Sequence, residues 1–456
     1  MNALSSALLY HVLGLLHLLP SADAGLFQKW RRQRPTVADL SPPPPPPPPP
    51  ISFASLLEHA QDAVAEMSYF SAAILFTCLC VAIVMVRTMR GKEKKIDAVD
   101  VVVVGCGLPK RGMGWYHLTQ LLEMRRVRVI GVVEPFFLGD GCPNVPREFT
   151  TMVEDLRSRG IKCVGNVEEL GTLSHRPTVC LIAGRTADNP RLFERCIDAG
   201  ASTIYLEKPG AATVEELTRM KHLAASRYVK VYMGYNKNIT PYVRRALDFS
   251  RSAPGSQLLF VHNNSYARSE LGECFARNAE GMLRNMAIHE LALLVSFFGA
   301  TVDNLAALEI ETDPAVSEKL TVPHVGPGGA TENHTDFSRI GFRVKTAEGE
   351  MAGVRADRCG GNVSYAAVLD GETGKELRRF RFPEPDQARE FDTKCKADPE
   401  MMPYFHLQSE DYLELKARVV NSVLSRTEAQ DVATIDVAIE ALKLAKYATS
   451  KLMDKL

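Results

Sequence analysis

The sequence predicts an α/β protein in which a doubly wound parallel sheet precedes a second, α+β domain of mostly antiparallel strands. Three observations predict this class. Short apolar runs alternate with helical stretches from residue 98, the alternation stops near residue 235, and longer strands follow. Strands that alternate with helices form parallel sheets, whereas strands that follow one another form antiparallel sheets. We therefore predict one domain over residues 97–234 and another over residues 235–456.

The first domain is predicted from five apolar runs of strand length with helical stretches between them. Such runs lack an alternating polar face, which is typical of strands buried on both sides of a parallel sheet. The predicted strands are residues 101–104, 127–133, 179–183, 202–206 and 229–233, and the clearest helices are residues 115–124, 189–199 and 214–226.

The second domain is predicted from strands that succeed one another without long helices. The expected strands are residues 258–263, 305–310, 340–345 and 351–355, followed by a hairpin of 365–369 and 377–382 around the turn at 370–374. We expect the last helix, residues 434–451, to return and cover the first domain.

The first 96 residues differ in character from the rest. Residues 1–24 are predicted to be a signal peptide, because an apolar run ends in small residues. Residues 25–68 form a linker that contains nine consecutive prolines, a stiff spacer or a ligand for a proline-binding domain. Residues 69–86 carry no charge, and we predict a transmembrane helix there. Basic residues follow it, which places the chain after residue 86 on the cytosolic side of a single-pass membrane protein.

Composition excludes several classes of partner. The formal net charge is zero, so no electrostatic attraction to nucleic acid is expected. The ten cysteines contain no Cys-x-x-Cys pair, so no metal site is predicted, and free buried thiols favour a reducing compartment.

A glycine-rich loop follows the first predicted strand and leads into a helix. The loop carries Gly105, Gly107, Gly112 and Gly114, and it is longer than the usual G-x-G-x-x-G spacing. Glycines in this position let a pyrophosphate approach the backbone at a helix N-terminus, so the context predicts a dinucleotide-binding Rossmann domain. Gly114 is the expected helix-packing glycine, with Gly112 as the alternative.

Glu134 ends the second predicted strand. A carboxylate there can accept hydrogen bonds from the adenosine ribose and repel a 2′-phosphate. No arginine adjoins it in the sequence, so we expect NAD as the cofactor rather than NADP. The alternative is a solvated loop carboxylate.

Three further segments, in this order after the glycine loop, resemble the glucose–fructose oxidoreductase and inositol dehydrogenase family (Gfo/Idh/MocA). They are the tripeptide Glu207-Lys208-Pro209 at a strand end, Gly234-Tyr235-Asn236 at the next strand end, and Ile288-His289-Glu290 in an apolar helix. The resemblance implies a second domain with a large open sheet. It also implies hydride transfer between NAD(P) and a hydroxyl-bearing carbon of a sugar, cyclitol or similar polyol.

The resemblance also implies roles for individual residues. Lys208 and His289 match the catalytic lysine and histidine, and Glu207 and Pro209 fall at the cofactor. Asn285 stands where relatives often have an aspartate; an amide orients a substrate but takes no proton at neutral pH. Tyr235 lies between the domains, where it lines the pocket or packs the hinge.

Two functions stay open at this point. One is a membrane-tethered NAD(P)-dependent dehydrogenase or reductase acting on CH–OH groups, which the presence of Lys208 and His289 favours. The other is a catalytically inactive sensor that binds a dinucleotide, which Asn285 favours. Expected partners are a polyol or sugar substrate, the membrane and, in a homo-oligomer, further copies of the chain.

Overall fold

The computed structural model describes residues 97–173, 175–326 and 329–456, together with Thr77 and Cys78. Contacts divide the chain into two units, Met1–Lys95 and Ile96–Leu456. The predicted signal peptide, the proline-rich linker and nearly all of the span 69–86 lie outside the described residues. Among the helices that are described, none has the length and apolar character needed to cross a membrane.

The first sheet has six parallel strands in the order β3-β2-β1-β4-β5-β6, the doubly wound order expected of a Rossmann domain. All six residues of β1 are buried, which accounts for its nearly continuous run of valines. The strands are Val99–Val104 (β1), Val127–Val133 (β2), Lys162–Val164 (β3), Thr178–Ile182 (β4), Thr203–Leu206 (β5) and Lys230–Met233 (β6).

Four helices connect these strands, and two of them agree closely with the sequence prediction. Helix α4 has the predicted bounds, and Thr213 caps it by accepting a hydrogen bond from the backbone N–H of Glu216. The sequence prediction missed β3, because only one of its three residues is buried and the run is short. The helices are Met113–Glu123 (α1), Arg147–Ser158 (α2), Asn189–Asp198 (α3) and Val214–Ser226 (α4).

The second sheet has seven strands and is mixed. Its order is β13-β12-β7-β11-β10-β8, with β9 paired to β10; β7 and β11 run parallel and every other pair is antiparallel. The strands are Ser256–Asn263 (β7), Leu305–Ile310 (β8), Glu318–Val325 (β9), Thr331–Thr346 (β10), Met351–Asp357 (β11), Ser364–Asp370 (β12) and Glu376–Phe382 (β13).

The prediction for this sheet was right in class and incomplete in extent. The hairpin of β12 and β13 around residues 370–374 is confirmed. However, β9 was missed and β10 is much longer than residues 340–345. The reason is that β9 and the first half of β10 form a largely exposed hairpin with polar residues and Pro323, so they lack the apolar signal of a buried strand.

Helices of the second half pack on both sheets. Helix α8 packs on β7 and β11 of the second sheet and against the last helix of the chain, and it ends at Gly299 in the left-handed conformation that commonly closes a helix. The helices are Pro241–Ser252 (α5), Leu271–Arg277 (α6), Met282–Asn285 (α7), Ile288–Phe298 (α8), Pro385–Ala397 (α9), Pro403–Leu407 (α10), Ser409–Ser425 (α11) and Ile435–Lys455 (α12).

The last two long helices return to the parallel sheet. As the sequence predicted, α12 lies against α4 and β6, and it also contacts α8. The backbone N–H of Met233 donates to the carbonyl of Ala433 (2.8 Å), which joins the sheet to the segment before α12. Helix α11 covers the opposite face of the same sheet, where Leu415 and Val419 join a core with α1 and α2. The two domains therefore share their cores.

Truncation of Leu444 on α12 tests this shared core. Leu444 is fully buried, and Leu444→Ala should lower the free energy of unfolding by about 2–5 kcal/mol because it leaves a cavity. Denaturant unfolding should still show a single transition, since both halves lose the same support. Asp454→Ala, at an exposed position of the same helix, is the control. A loss confined to one of two separate transitions would contradict the shared core.

Candidate active site

The glycine loop is shaped by close backbone contacts. Gly105 and Gly107 have positive φ angles of 81° and 70°, a conformation that glycine adopts without strain. A side chain on Gly105 would lie 2.6 Å from the backbone of Gly184 at the end of β4. The loop thus needs glycine both for its turn and for its close approach to the neighbouring strand.

Helix α1 begins directly at this loop. A Cβ atom on Gly114 would collide with the carbonyl oxygen of Gly105, and one on Gly112 would lie 2.6 Å from that of Cys106. Gly114 is therefore the glycine that lets the helix pack on the strand, as predicted, while Gly112 is the residue that precedes the first helical turn. No side chain caps this N-terminus, so its dipole is directed at the loop, as in dinucleotide sites.

Glu134 is buried beside the loop rather than solvated. Its carboxylate accepts hydrogen bonds from the backbone N–H groups of Gly107 (2.7 Å) and Phe136 (3.1 Å). A cleft of about 390 Å³ opens next to it between the ends of β1, β2 and β4. Arg185 and Arg191 also line this cleft, although neither is near Glu134 in the sequence. The cradle and the cleft fit the adenosine and pyrophosphate parts of a dinucleotide.

The inserted part of the glycine loop is held by the C-terminal half of the chain. Lys110 pairs with Asp398 (2.9 Å) and Glu400 (3.2 Å), and its carbonyl accepts from the N–H of Met402 (3.1 Å). Six residues after Lys110, on α1, Tyr116 stacks on Phe405 with ring centroids 4.3 Å apart. The loop that departs from the usual spacing therefore has its own docking segment.

Lys208 and His289 lie close enough to interact, although they come from different domains. Burial lowers the pKa of Lys208, and the nearby carboxylates of Glu207 and Glu280 oppose this shift. Burial, with Lys208 and Lys237 as neighbouring cations, holds the pKa of His289 well below its usual value of 6.5. The imidazole is thus neutral at physiological pH, and its buried Nδ1 atom has no hydrogen-bond partner.

The other predicted residues surround this pair. The phenol ring of Tyr235 meets the His289 ring edge-on at 5.7 Å, and its hydroxyl is buried without a partner. The side-chain amide of Asn285 donates to Glu280 (2.6 Å). Pro209 follows Lys208 through a cis peptide bond. Tyr235 therefore both packs against the histidine and presents an unpartnered polar atom.

Glu207 lies in a buried chain of hydrogen bonds beneath Lys208. Its carboxylate accepts from Tyr205 (3.1 Å) and from Nε2 of His117 (2.9 Å), and Nδ1 of His117 accepts from Lys416 on α11 (2.9 Å). Burial and Lys416 lower the pKa of His117 to about 4, which keeps the imidazole between Glu207 and Lys416 neutral. These hydrogen bonds fix the position of the Glu207 side chain beside Lys208.

Comparison with known proteins decides the family of the first domain. Residues 99–235 match the model of an oxidoreductase family with an NAD-binding Rossmann fold, GFO_IDH_MocA. The first domain belongs to the Gfo/Idh/MocA family. The family resemblance, the oxidoreductase class and NAD as its cofactor, all predicted from sequence, are confirmed. No curated protein was found to match the chain in sequence.

Solved structures with the same fold extend the likeness beyond this Gfo/Idh/MocA domain. A scyllo-inositol dehydrogenase from Lactobacillus casei, with NAD(H) and scyllo-inositol bound, is 14% identical and superposes with a TM-score of 0.54 over 78% of this chain and 97% of its own. A myo-inositol 2-dehydrogenase from Lactobacillus plantarum is 16% identical, with a TM-score of 0.54 over 78% of this chain and 98% of its own. GenD2 from gentamicin A biosynthesis, in complex with NAD, is 16% identical, with a TM-score of 0.57 over 80% of this chain and 97% of its own. At these identities the likeness concerns the fold.

Sequence reasoning missed a second buried cluster beside the Lys208–His289 pair. Lys237 forms an ion pair with Glu290, whose other carboxylate oxygen lies 3.2 Å from Nδ1 of His262. Burial lowers the pKa of His262, and Lys237 lowers it further. Lys237 and Glu290 adjoin the recognised segments in sequence, and that was the available signal. His262 comes from β7, and only the fold brings it here.

Lys237 and His262 also line a polar compartment, defined by Asn236, Lys237, His262, Asn263, Gln408 and Asp411 among its walls. Asp411, near the start of α11, is 7% exposed. Burial, reinforced by the charge of Glu410, raises its pKa from 3.8 to about 7. Because burial disfavours the charged form, the Asp411 carboxyl destabilises the fold when it is ionised.

The glycine packing makes a first prediction for this site. Gly114→Val should weaken NAD binding by at least about tenfold, because the side chain would displace the loop from the helix N-terminus that binds the phosphates. Calorimetric titration with NAD measures the effect. Gly326→Ala is a suitable control, since a Cβ there meets only one atom, at 3.9 Å. Unchanged NAD affinity in Gly114→Val would disprove the role of this loop.

Asp411 makes a second prediction, on stability. The native state retains a proton at this carboxyl above pH 3.8 that the unfolded state loses, so its contribution to stability declines as the pH rises from 3.8 through about 7. Asp411→Asn should therefore raise the melting temperature by a few degrees near pH 8 and change it little near pH 4. Thermal unfolding across this range, compared with Glu410→Gln, measures the difference. A pH-independent effect would show that the carboxyl does not titrate as described.

Proposed function

We propose that the protein is an NAD-dependent oxidoreductase that transfers hydride between the nicotinamide and a hydroxyl-bearing carbon of a sugar, cyclitol or similar polyol. One observation carries this proposal: a half-buried lysine and a neutral histidine with an unpartnered ring nitrogen adjoin each other across the two domains. The inositol dehydrogenases that share the fold support the substrate class.

Lys208 and His289 would divide the work at the reacting hydroxyl. The ammonium group of Lys208 donates a hydrogen bond to the substrate oxygen and stabilises the negative charge that develops there. The unprotonated Nδ1 of His289 accepts the hydroxyl proton during oxidation and returns it during reduction. Glu207 favours the charged form of Lys208 against the effect of burial.

The residues of the first domain fit NAD. Gly105, Gly107 and the N-terminus of α1 would hold the pyrophosphate, and Glu134 the adenosine ribose. When bound, NAD supplies the hydride acceptor or donor. Arg185 and Arg191 line the same cleft, and we expect Glu134 to outweigh them in disfavouring a 2′-phosphate.

A second candidate function is a dinucleotide-binding sensor without turnover. The observation that favours it is Asn285, which donates to Glu280 and cannot take a proton. We prefer the enzyme because His289 supplies a base by itself. A folded, NAD-bound protein that turns over no sugar, inositol or keto derivative would support the sensor.

The proposal also concerns the location of the protein in the cell. Residues 69–86 form a charge-free span followed by a basic flank, and we propose that this span anchors the protein in a membrane with the catalytic domain in the cytosol.

Removal of either catalytic side chain is the main test of the enzyme. Lys208→Met and His289→Asn should each lower turnover by roughly a hundredfold or more, while NAD affinity stays close to wild type, because the glycine loop holds the dinucleotide. Lys394→Met, which removes an exposed lysine on α9, is the matched control. Wild-type turnover in both variants would eliminate this assignment.

The oxidation rate should also depend on pH in a defined direction. Activity falls when His289 becomes protonated, which places the acid limb below pH 6.5, and when Lys208 loses its proton, which places the basic limb below pH 10.5. A pH–rate profile of kcat/KM measures both limbs. An acid limb above pH 6.5 would assign the base to another group.

Membrane anchoring is tested on the full chain in cells. The wild type should remain in the membrane fraction after alkaline extraction, and protease added to sealed microsomes should digest the catalytic domain. A variant without residues 69–86 should be released. Retention of this variant, or protection of the domain, would refute the proposed topology.

A further inference from the structure

The polar compartment defined above adjoins the Lys208–His289 pair. It encloses about 70 Å³ between strand β7, strand β12 and the start of α11. Lys237 and His262 belong both to its wall and to the surroundings of the pair, because each acts electrostatically on His289. A substrate bound at Lys208 and His289 would therefore extend into this compartment.

Two acceptor atoms in the compartment have no hydrogen-bond partner among the described residues. They are Oδ2 of Asp411 and Oδ1 of Asn236, on side chains that are 7% and 2% exposed. Buried polar atoms are nearly always paired in folded proteins, so unpaired ones in a pocket wall indicate a missing donor. Both atoms can accept a hydrogen bond from a ligand in the compartment, Asp411 in its ionised form.

The basic side chains of the compartment do not supply this donor. Lys237 is committed to Glu290 and lies 3.5 Å from the hydroxyl of Ser364, and Nδ1 of His262 faces the second oxygen of Glu290. The neighbouring Glu410 adds negative charge around Asp411. The charge of Lys237 acts on Asp411 from a distance, so the compartment combines amide side chains with a carboxyl group that has no cation bonded to it among the described residues.

We propose that this compartment binds an ammonium group of the substrate, so that the substrate is an amino-bearing polyol such as an amino sugar or aminocyclitol. An ammonium group has three donors and a positive charge. It can satisfy Asp411 and Asn236 together, whereas a hydroxyl has a single proton to donate. Amides such as Asn263 and Gln408 offer partners to neighbouring hydroxyl groups. This inference rests on the proposed function and names its substrate class.

Calorimetric titration of the full chain, saturated with NAD at neutral pH, tests the inference. The two probes are scyllo-inositol and 1-amino-1-deoxy-scyllo-inositol, which differ only in one hydroxyl replaced by an amine. The wild type should bind the amine at least about tenfold more tightly, since charge-assisted hydrogen bonds are the stronger kind. Asp411→Asn keeps the size of the side chain and should reduce this preference to about twofold or less.

Asp454→Asn is the matched control, because it makes the same substitution at an exposed position of α12 outside the compartment. It should keep the wild-type preference. The thermal unfolding of Asp411→Asn shows whether this variant is folded, and NAD titration shows whether its first domain is intact.

Equal affinity for the two probes, binding of neither probe, or a preference that survives Asp411→Asn would overturn the inference. Hydride transfer is followed separately by NADH absorbance with both probes. A preference for the amine that Asp411→Asn abolishes, without NADH formation, would uphold the compartment and count against the oxidoreductase. Turnover of scyllo-inositol without a preference for the amine would support the oxidoreductase and overturn the ammonium-binding compartment.

Discussion

The parallel sheet depends on helices that come from the far end of the chain. Its own connecting helices leave apolar surface on both faces, and α11 and α12 bury that surface, one on each side. Because burial of apolar surface is the main favourable term in folding, the dinucleotide-binding half and the C-terminal half stabilise each other. This shared core fixes the positions of Lys208 and His289 relative to each other.

The same constraint explains the buried charges. Helix α11 brings Lys416 to His117 and Asp411 to the compartment near Lys237, while the turn after β6 brings Lys237 to Glu290. Charges are costly to bury unless they are paired, and Lys237 and Glu290 form such a pair. Lys416 reaches Glu207 only through His117, and burial lowers the pKa of Lys416 to about 7. Asp411 forms no ion pair with a described residue, and in this it differs from the buried charges that are paired.

The electrostatics of the site follow from the arrangement of these groups. Burial lowers the pKa values of Lys208 and His289 together, but adjacent carboxylates support the lysine, whereas two lysines oppose protonation of the histidine. A charged donor and a neutral acceptor can therefore coexist at one substrate oxygen. Opposite protonation states of neighbouring groups are the usual basis for assigning an acid and a base.

The sequence by itself determined the alternation of strands and helices, the glycine loop, and the segments that contain Lys208 and His289, because these are local patterns. It also located Glu134. The sequence shows no arginine beside Glu134, but in the folded protein Arg185 and Arg191 line the same cleft. The approach of His262, Asp411 and Lys416 to the site was decided by tertiary structure alone. Each lies on an element whose own pattern is that of an ordinary strand or helix, and the site arises only where the return of α11 and the register of β7 place them beside the Rossmann strand ends.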